Sequence, residues 1–275
     1  VYFSDIVVPL RAIGLDVEIK PGIGPVIAEP VRTVADLDRL RVPEPDELAP
    51  IAAAVRLLTA ELGATPLIGF AGAPFTLASY LIEGGKSSAF AKAKRLMYAE
   101  PETWNVLMAK LSDVVRKFLH AQIDAGVDAV QLFDSWVGQL SAADYRTYVQ
   151  PHVVNILKDV EKRGVPVIHF GVGTQSLLPA MREAGGTVIG LDWRTPLGET
   201  WAKLGHDVAV QGNMDSTALF APRAIAEKHA QRVLDDAAGR PGHVFNLGHG
   251  ILPETPVETV QAVVDYVHRA SERKQ

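Results

Sequence analysis

Short apolar runs alternate with amphipathic helical stretches along most of the chain. Residues 66–85 show the pattern most clearly, because the run at 67–70 contains no alternating polar residue and is typical of a buried strand. A turn of small residues follows, and Pro74 then stands where the first turn of a helix tolerates a missing N–H. The same strand-then-helix unit recurs, and it predicts strands near residues 3, 68, 131, 168, 189, 209 and 245.

This alternation of strands and helices predicts an α/β fold with a parallel sheet. Seven units fall one short of a (β/α)8 TIM barrel, and the chain begins inside the apolar run at 1–8 without a methionine. We therefore expect that the first βα unit of a barrel is missing from this sequence. Because no linker or low-complexity segment interrupts the chain, residues 1–275 are expected to form a single barrel domain. The alternative is an open, doubly wound sheet.

Two further patterns concern the first half of the chain. Six prolines between residues 20 and 50 predict mostly loop there, with at most one short helix. A helix is predicted to begin near Asp46 and to stop at Gly63, and a longer helix is predicted from Pro101 to Gly126.

Composition narrows the function classes. The chain is 48% hydrophobic and 21% charged, as in an ordinary globular protein. Its net charge of −5 and its lack of a basic run argue against a nucleic-acid or anionic-membrane partner. No apolar run approaches the roughly 20 residues of a membrane span. Because there is no cysteine, disulfides, thiolate nucleophiles and cysteine-ligated zinc are excluded, which fits a cytoplasmic protein.

Polar residues stand at the carboxyl end of most predicted strands, which is the end that faces the active site in a barrel. They are Asp5, Asp134, Ser135, His169, Asp192, Gln211, Asn213 and residues 246–249, which include His249. Asp192, Asn213 and Asp215 can equally be helix caps, since caps also follow strands. Their coincidence at one end of the sheet is what predicts a pocket there.

Three candidates carry most of the chemical argument. The neighbours of Asp5 are apolar, so its carboxylate would be costly to bury without a cationic or N–H-rich partner, unless it caps a loop. Tyr80 shares a helix face with Thr76 and Glu83, where it either lines a pocket or fills the core. His249 lies between two glycines, which leave its imidazole open to a ligand or place it in a surface turn.

Two other kinds of site match the sequence poorly. The chain has no His-x-His or His-x-x-x-His pair, so we expect no metal site. Gly171, Gly173 and Asp192 approach the spacing of a dinucleotide-binding turn, but Ser176 replaces its third glycine. We therefore rank a dinucleotide-binding fold below the barrel.

Four segments taken together resemble the uroporphyrinogen decarboxylase family. They are FSDIVVPL at 3–10, GFAGAPFTLASYLIEGG at 69–85, LFDSWVG at 132–138 and NLGHGILPETP at 246–256. The resemblance implies a (β/α)8 barrel that is usually a homodimer. It also implies decarboxylation of the acetate side chains of uroporphyrinogen III to give coproporphyrinogen III, a step of haem biosynthesis that needs neither a metal nor an organic cofactor.

The resemblance also implies roles for residues at matching positions. Asp5 corresponds to the aspartate that the family uses at the pyrrole nitrogens of its substrate, and their N–H donors suit a desolvated carboxylate. Tyr80, Ser135 and His249 correspond to substrate-binding residues. The family's Arg-Gln-Ala-Gly-Arg segment, whose arginines bind substrate carboxylates, has no counterpart here. Its absence agrees with a missing first unit and puts the activity of the chain as given in question.

Two alternative functions stay open at this point. One relative of the family transfers methyl groups from corrinoid proteins and holds zinc with a His-x-Cys pattern. The corresponding strand here reads His169, Phe170, Gly171, and the chain has no cysteine, so this alternative lacks its ligands. A non-catalytic tetrapyrrole-binding barrel would share Asp5, Tyr80 and His249 with the enzyme, and only turnover separates the two.

Overall fold

A parallel sheet organises the computed structural model, which describes residues 1–2 and 4–272. A short antiparallel hairpin, β1 (Val17–Lys20) and β2 (Gly24–Ile27), precedes it. The sheet consists of β3 (Ile68–Gly72), β4 (Ala129–Asp134), β5 (Val167–Gly171), β6 (Val188–Gly190), β7 (Ala209–Met214) and β8 (His243–Leu247), in chain order and parallel throughout. Within the described residues β3 and β8 are its two edges, so the sheet is not closed into a barrel.

Helices precede the sheet, connect its consecutive strands and follow its last strand. In the described part of the chain they are α1 (Val8–Ala12), α2 (Pro45–Leu62), α3 (Pro74–Glu83), α4 (Ala91–Ala99), α5 (Pro101–Asp124), α6 (Ala142–Tyr148), α7 (Gln150–Glu161), α8 (Leu178–Ala184), α9 (Leu197–Leu204), α10 (Arg223–Ala237) and α11 (Val257–Ser271). The α/β prediction is confirmed, and so are the predicted strands from residue 68 onward. The predicted bounds of α2 and α5 are correct to within two residues.

The predicted strand over residues 1–8 is wrong for the residues that can be described. Only Tyr2 pairs with the sheet, donating its N–H to the Ile68 carbonyl at 2.7 Å. The chain then turns, and α1 begins at Val8 because Pro9, with its fixed φ and missing N–H, suits a first helical turn. Phe3, which the prediction included, lies outside the described residues.

The apolar patterns read from the sequence become the core between the sheet and its helices. All five residues of β5 are buried, and α5 turns Leu107, Leu111 and Phe118 inward. Each such side chain contributes about 1.5–3 kcal/mol relative to leaving it exposed. By contrast, β2 of the hairpin lies within residues 20–50, where prolines had predicted mostly loop. Neither strand of the hairpin has a long apolar run that would have indicated it.

At the open edge of β3, a side chain forms the hydrogen bonds that a neighbouring strand would otherwise form. Gln122, fully buried on α5, accepts the Phe70 N–H at Oε1 and donates from Nε2 to the Phe70 carbonyl, both at 2.9 Å. The side-chain amide thus pairs with the backbone as a neighbouring strand would. It holds β3, and the loop after it, firmly against α5.

Candidate active site

A cavity of about 200 Å³ opens at the carboxyl end of the sheet. Its walls come from β4, β5, β7 and β8, from the loops after β6 and β8, and from the start of the chain. The lining residues are Val1, Gln131, Phe133, Phe170, Leu191, Gln211, Asn246, Leu247, His249, Gly250 and Ile251. On its wall Gln211 donates from Nε2 to Gln131 Oε1 at 3.2 Å, and the Phe133 and Phe170 rings meet edge to face at 5.7 Å. The pocket is therefore largely apolar, with a few amide groups.

Asp5 lies at the carboxyl end of β3. Its position follows from two neighbours, because Tyr2 is hydrogen-bonded to the start of β3 and Ile6 packs on Gly72 at the end of that strand. The half-buried Asp5 carboxylate accepts the Val7 N–H at 3.1 Å. This bond matches the loop-capping alternative, but it occupies only part of the carboxylate's accepting capacity.

Tyr80 on α3 lies near enough to Asp5 for the charge of that carboxylate to act on its phenol. Burial raises the pKa of the Tyr80 phenol above its ordinary value, the Trp136 side chain opposes the rise, and the negative charge of Asp5 adds to it. The Tyr80 ring also meets the Trp136 ring edge to face, with centroids 6.1 Å apart. At neutral pH the phenol therefore keeps its proton and can donate a hydrogen bond beside the Asp5 carboxylate.

Ser135 follows β4 directly and is half-buried. Its neighbour Trp136 packs between Tyr80 and Phe90, and the Phe90 ring centroid is 5.4 Å from that of Trp136. Ser135 is therefore carried on a loop whose next residue touches Tyr80. No motif points to Trp136 by itself, although its place just after a strand end is the signal that could have found it.

His249 lies on the other side of the site, on the loop after β8. His249 lines the cavity together with Val1. Val1 precedes Asp5 by four residues, so the chain can place these two residues at most about 14 Å apart. The exposed His249 ring meets the Trp193 ring edge to face at 5.6 Å, and the Arg194 guanidinium lies 3.8 Å from the centre of Trp193. A cation thus stands near His249 on the rim, a feature that no sequence motif predicted.

Several strand-end residues serve the fold instead of the cavity. The buried Asp192 carboxylate accepts the Gly173 N–H, the Arg194 N–H and guanidinium, and the Thr195 hydroxyl. Asn213 donates to the backbone carbonyls of Asp192 and Thr195, at 2.8 and 2.6 Å. Asp192 and Asn213 therefore have structural roles in the loop after β6, although neither caps α9, whose N-cap residue is Pro196. The helix-cap alternative is right for Asp215, whose side chain accepts the Thr217 N–H at the start of a 3₁₀ turn.

Two buried titratable groups that the sequence placed at strand ends lie outside the cavity lining. His169 on β5 is fully buried, neither ring nitrogen has a hydrogen-bond partner among the described residues, and burial lowers its pKa to about 4. Asp134 at the end of β4 is fully buried as well, and burial raises its pKa to about 7, opposed by a hydrogen bond from Thr76. The cavity-facing residues of these strands are their neighbours Phe133 and Phe170.

Within residues 1–2 and 4–272, no group of three or more histidine, aspartate or glutamate side chains is placed to hold a metal ion. None of the helices described here combines the length and the apolar character that a membrane crossing requires.

The chain matches known proteins over almost its whole length. The family model described as uroporphyrinogen decarboxylase (URO-D) matches residues 1–270. The uroporphyrinogen decarboxylase of Sorangium cellulosum (strain So ce56) is 61% identical over 270 residues, which are 98% of this chain and 77% of that protein. The uroporphyrinogen decarboxylase of Streptomyces coelicolor is 56% identical over 273 residues, which are 99% of this chain and 77% of that protein.

A solved structure with the same fold comes from a different enzyme. It is a B12-independent methionine synthase from Shewanella sp. W3-18-1 in complex with selenomethionine, with a TM-score of 0.59 and 8% identity. The similarity covers 94% of this chain and 73% of that one. At this identity it shows the fold alone, and it adds no support to a methyl-transfer function.

Proposed function

The chain belongs to the uroporphyrinogen decarboxylase family, carboxy-lyases of porphyrin biosynthesis, and on this premise we propose that Asp5 is the catalytic residue of this chain. The substrate is uroporphyrinogen III and the product coproporphyrinogen III. Tyr80, Ser135 and His249 bind the substrate around Asp5. The observation that carries the proposal is that Asp5 and Tyr80 lie together at the carboxyl end of β3, where an α/β sheet binds its ligands.

The chemistry requires an electron sink and a fixed negative charge. Protonation of a pyrrole carbon makes the ring cationic. The bond between the acetate methylene and its carboxyl group then breaks, carbon dioxide leaves, and the electron pair of that bond passes into the ring. A proton added at the methylene carbon completes the methyl group, and the ring releases the proton that it had taken up.

Asp5 suits the role of stabilising the cationic ring. Its carboxylate accepts pyrrole N–H donors and lies beside the charge that develops, and a charge fixed in place before the reaction costs no reorganisation during it. The Tyr80 phenol keeps its proton beside this carboxylate, so it can donate a hydrogen bond to a substrate group that is bound there. The lining of Phe133 and Phe170 keeps water from part of the cavity and so strengthens the attraction.

The test is turnover by the Asp5→Asn variant, measured as coproporphyrinogen formed and carbon dioxide released from uroporphyrinogen III. We expect the rate to fall about a hundredfold or more, the scale of removing one preorganised electrostatic group. The melting temperature should hold, because asparagine can accept the same Val7 N–H. Asp16→Asn, at an exposed site, removes the same charge as a control.

Two outcomes would contradict the proposal. Near-normal turnover by Asp5→Asn would remove Asp5 from the chemistry, and tight porphyrinogen binding without carbon dioxide release by the wild type would favour a non-catalytic tetrapyrrole-binding barrel. Each assay should be run on the chain of 275 residues and on any longer form that its reading frame encodes. A difference in turnover between these two forms would test the expectation that carboxylate-binding arginines lie upstream.

We also propose two finer features that family membership supports, a homodimer and a cytoplasmic location. Light scattering of the purified protein tests the first, and fractionation of the producing cell tests the second. A monomer at assay concentration would remove the homodimer from the proposal without affecting the role of Asp5.

A further inference from the structure

The loop that carries Ser135 is attached to α3 at two places, one helical turn apart. Thr76 donates its hydroxyl proton to Asp134 Oδ1 at 3.1 Å, and the same hydroxyl oxygen accepts the Trp136 N–H at 3.4 Å. One turn further along α3, the Tyr80 ring packs against the Trp136 ring. Both residues that flank Ser135 are therefore held by one face of α3.

The contact between Thr76 and Asp134 is buried, and neither of these two side chains has a part in the chemistry proposed above. Thr76 and Asp134 are fully buried, so neither can touch substrate in this conformation. Asp134 Oδ2 has no partner in the described part of the chain, and no cation pairs with the carboxyl group there. The titratable group that senses its charge is the buried phenol of Tyr145 on α6. Such a group is costly to bury, which calls for an explanation of its presence.

We propose that Thr76, supported by Asp134, is a positioning residue that fixes Ser135 and Trp136 and, through the Trp136 ring, orients Tyr80 toward Asp5. This inference rests on the proposed function of the site. Thr76 joins a strand end to a helix, because its hydroxyl donates to the last side chain of β4 and accepts the N–H of Trp136 in the loop that follows. Without it, the Trp136 N–H loses its partner and the loop can move away from α3.

The consequence for catalysis is a change of geometry, since no reacting group is removed. Ser135 and Tyr80 would keep their chemistry but lose their fixed separation, and small misplacements of binding groups reduce rates steeply. The hydroxyl is the critical feature, because a β-branched apolar side chain of the same shape fits the helix equally well. Thr76→Val therefore tests the proposal with little change of packing, and Thr76→Ser restores the hydroxyl.

The experiment compares kcat/KM for uroporphyrinogen III in Thr76→Val, Thr76→Ser and a matched control, Thr103→Val. Thr103 is also a buried threonine whose hydroxyl donates to a carboxylate, that of Glu100 at 3.3 Å, but it lies at the start of α5 away from Tyr80. We expect kcat/KM to fall about tenfold or more in Thr76→Val, to return within about twofold in Thr76→Ser, and to hold in Thr103→Val.

A second readout follows Trp136 directly. The fluorescence of Trp136, isolated by subtracting the spectrum of Trp136→Phe, should change in Thr76→Val and be normal in Thr76→Ser. Equal kcat/KM in Thr76→Val and Thr103→Val, or no recovery in Thr76→Ser, would overturn the inference. If Thr76→Val does not fold, Thr76→Ala takes its place under the same criteria. A wild type without turnover would contradict the proposed function, and the fluorescence comparison alone would then decide the positioning role.

Discussion

Asparagine at position 134 would give the protein a pH dependence of stability different from that of the wild type. Asp134 is fully buried at the end of β4, and its one hydrogen bond within the described residues comes from Thr76. Burial raises its pKa from the ordinary 3.8 to about 7. The folded protein therefore keeps a proton that the unfolded chain has already released, and asparagine has no such proton to lose.

The size of the effect follows from the two pKa values. Because the folded pKa lies above the unfolded one, the stability contributed by the proton is fully present below about pH 4 and is lost as the pH rises to about 7. Each pKa unit is worth about 1.36 kcal/mol, so the whole loss is about 4 kcal/mol. Between pH 5 and pH 8 the wild type should therefore lose about 3 kcal/mol of unfolding free energy relative to Asp134→Asn.

The assay is urea-induced unfolding of both proteins at pH 5 and pH 8. The asparagine amide leaves one more N–H unpaired than the protonated acid does, which costs about 1–3 kcal/mol, but this cost is the same at both pH values and cancels in the comparison. Asp16→Asn, at an exposed position, measures what removing a carboxylate does elsewhere. A difference that is constant to within about 1 kcal/mol would mean that Asp134 is ionised in the folded protein, and would refute the reasoning.

Two further substitutions test the placement of Asp5 and the edge of β3. In Gly72→Ala the new Cβ would lie 2.8 Å from Ile6 Cγ1, so Ile6 must move and Asp5 with it. We expect kcat/KM to fall about tenfold or more, and unchanged kinetics would show that position 72 and Asp5 are not coupled. In Gln122→Leu the Phe70 N–H and carbonyl both lose their partner, so the free energy of unfolding should fall by about 2–5 kcal/mol. Urea-induced unfolding measures this loss, and a value below about 1 kcal/mol would contradict the edge-pairing role of Gln122.

The local sequence determined the repeating units of this protein. The apolar run at 67–70 leads into a strand, and amphipathic stretches such as α5 form helices that cover the sheet. Pro74 and the small residues before it fix the turn after β3 in the same way. For these elements the signal lies within about 20 residues of chain, which is why it can be read without the fold.

The sequence also pointed to the right end of the sheet, and the structure brings Asp5, Tyr80 and the loop of Ser135 together there. His249 lines a cavity at the same end, on the loop after β8. Their substrate-binding roles stay predictions, and so does the expectation of an upstream βα unit. The comparisons identify the family, and mutagenesis must identify the residues.

Only the tertiary structure decided which strand-end side chains face the cavity and which are buried behind it. Successive residues of a strand point to opposite faces, so Phe133 lines the cavity whereas Asp134 lies against Thr76 on α3. That alternation is local, but the face that encloses the cavity is set by the packing of helices on the sheet. The raised pKa of Asp134 and the lowered pKa of His169 likewise depend on burial, which comes from residues distant in the chain.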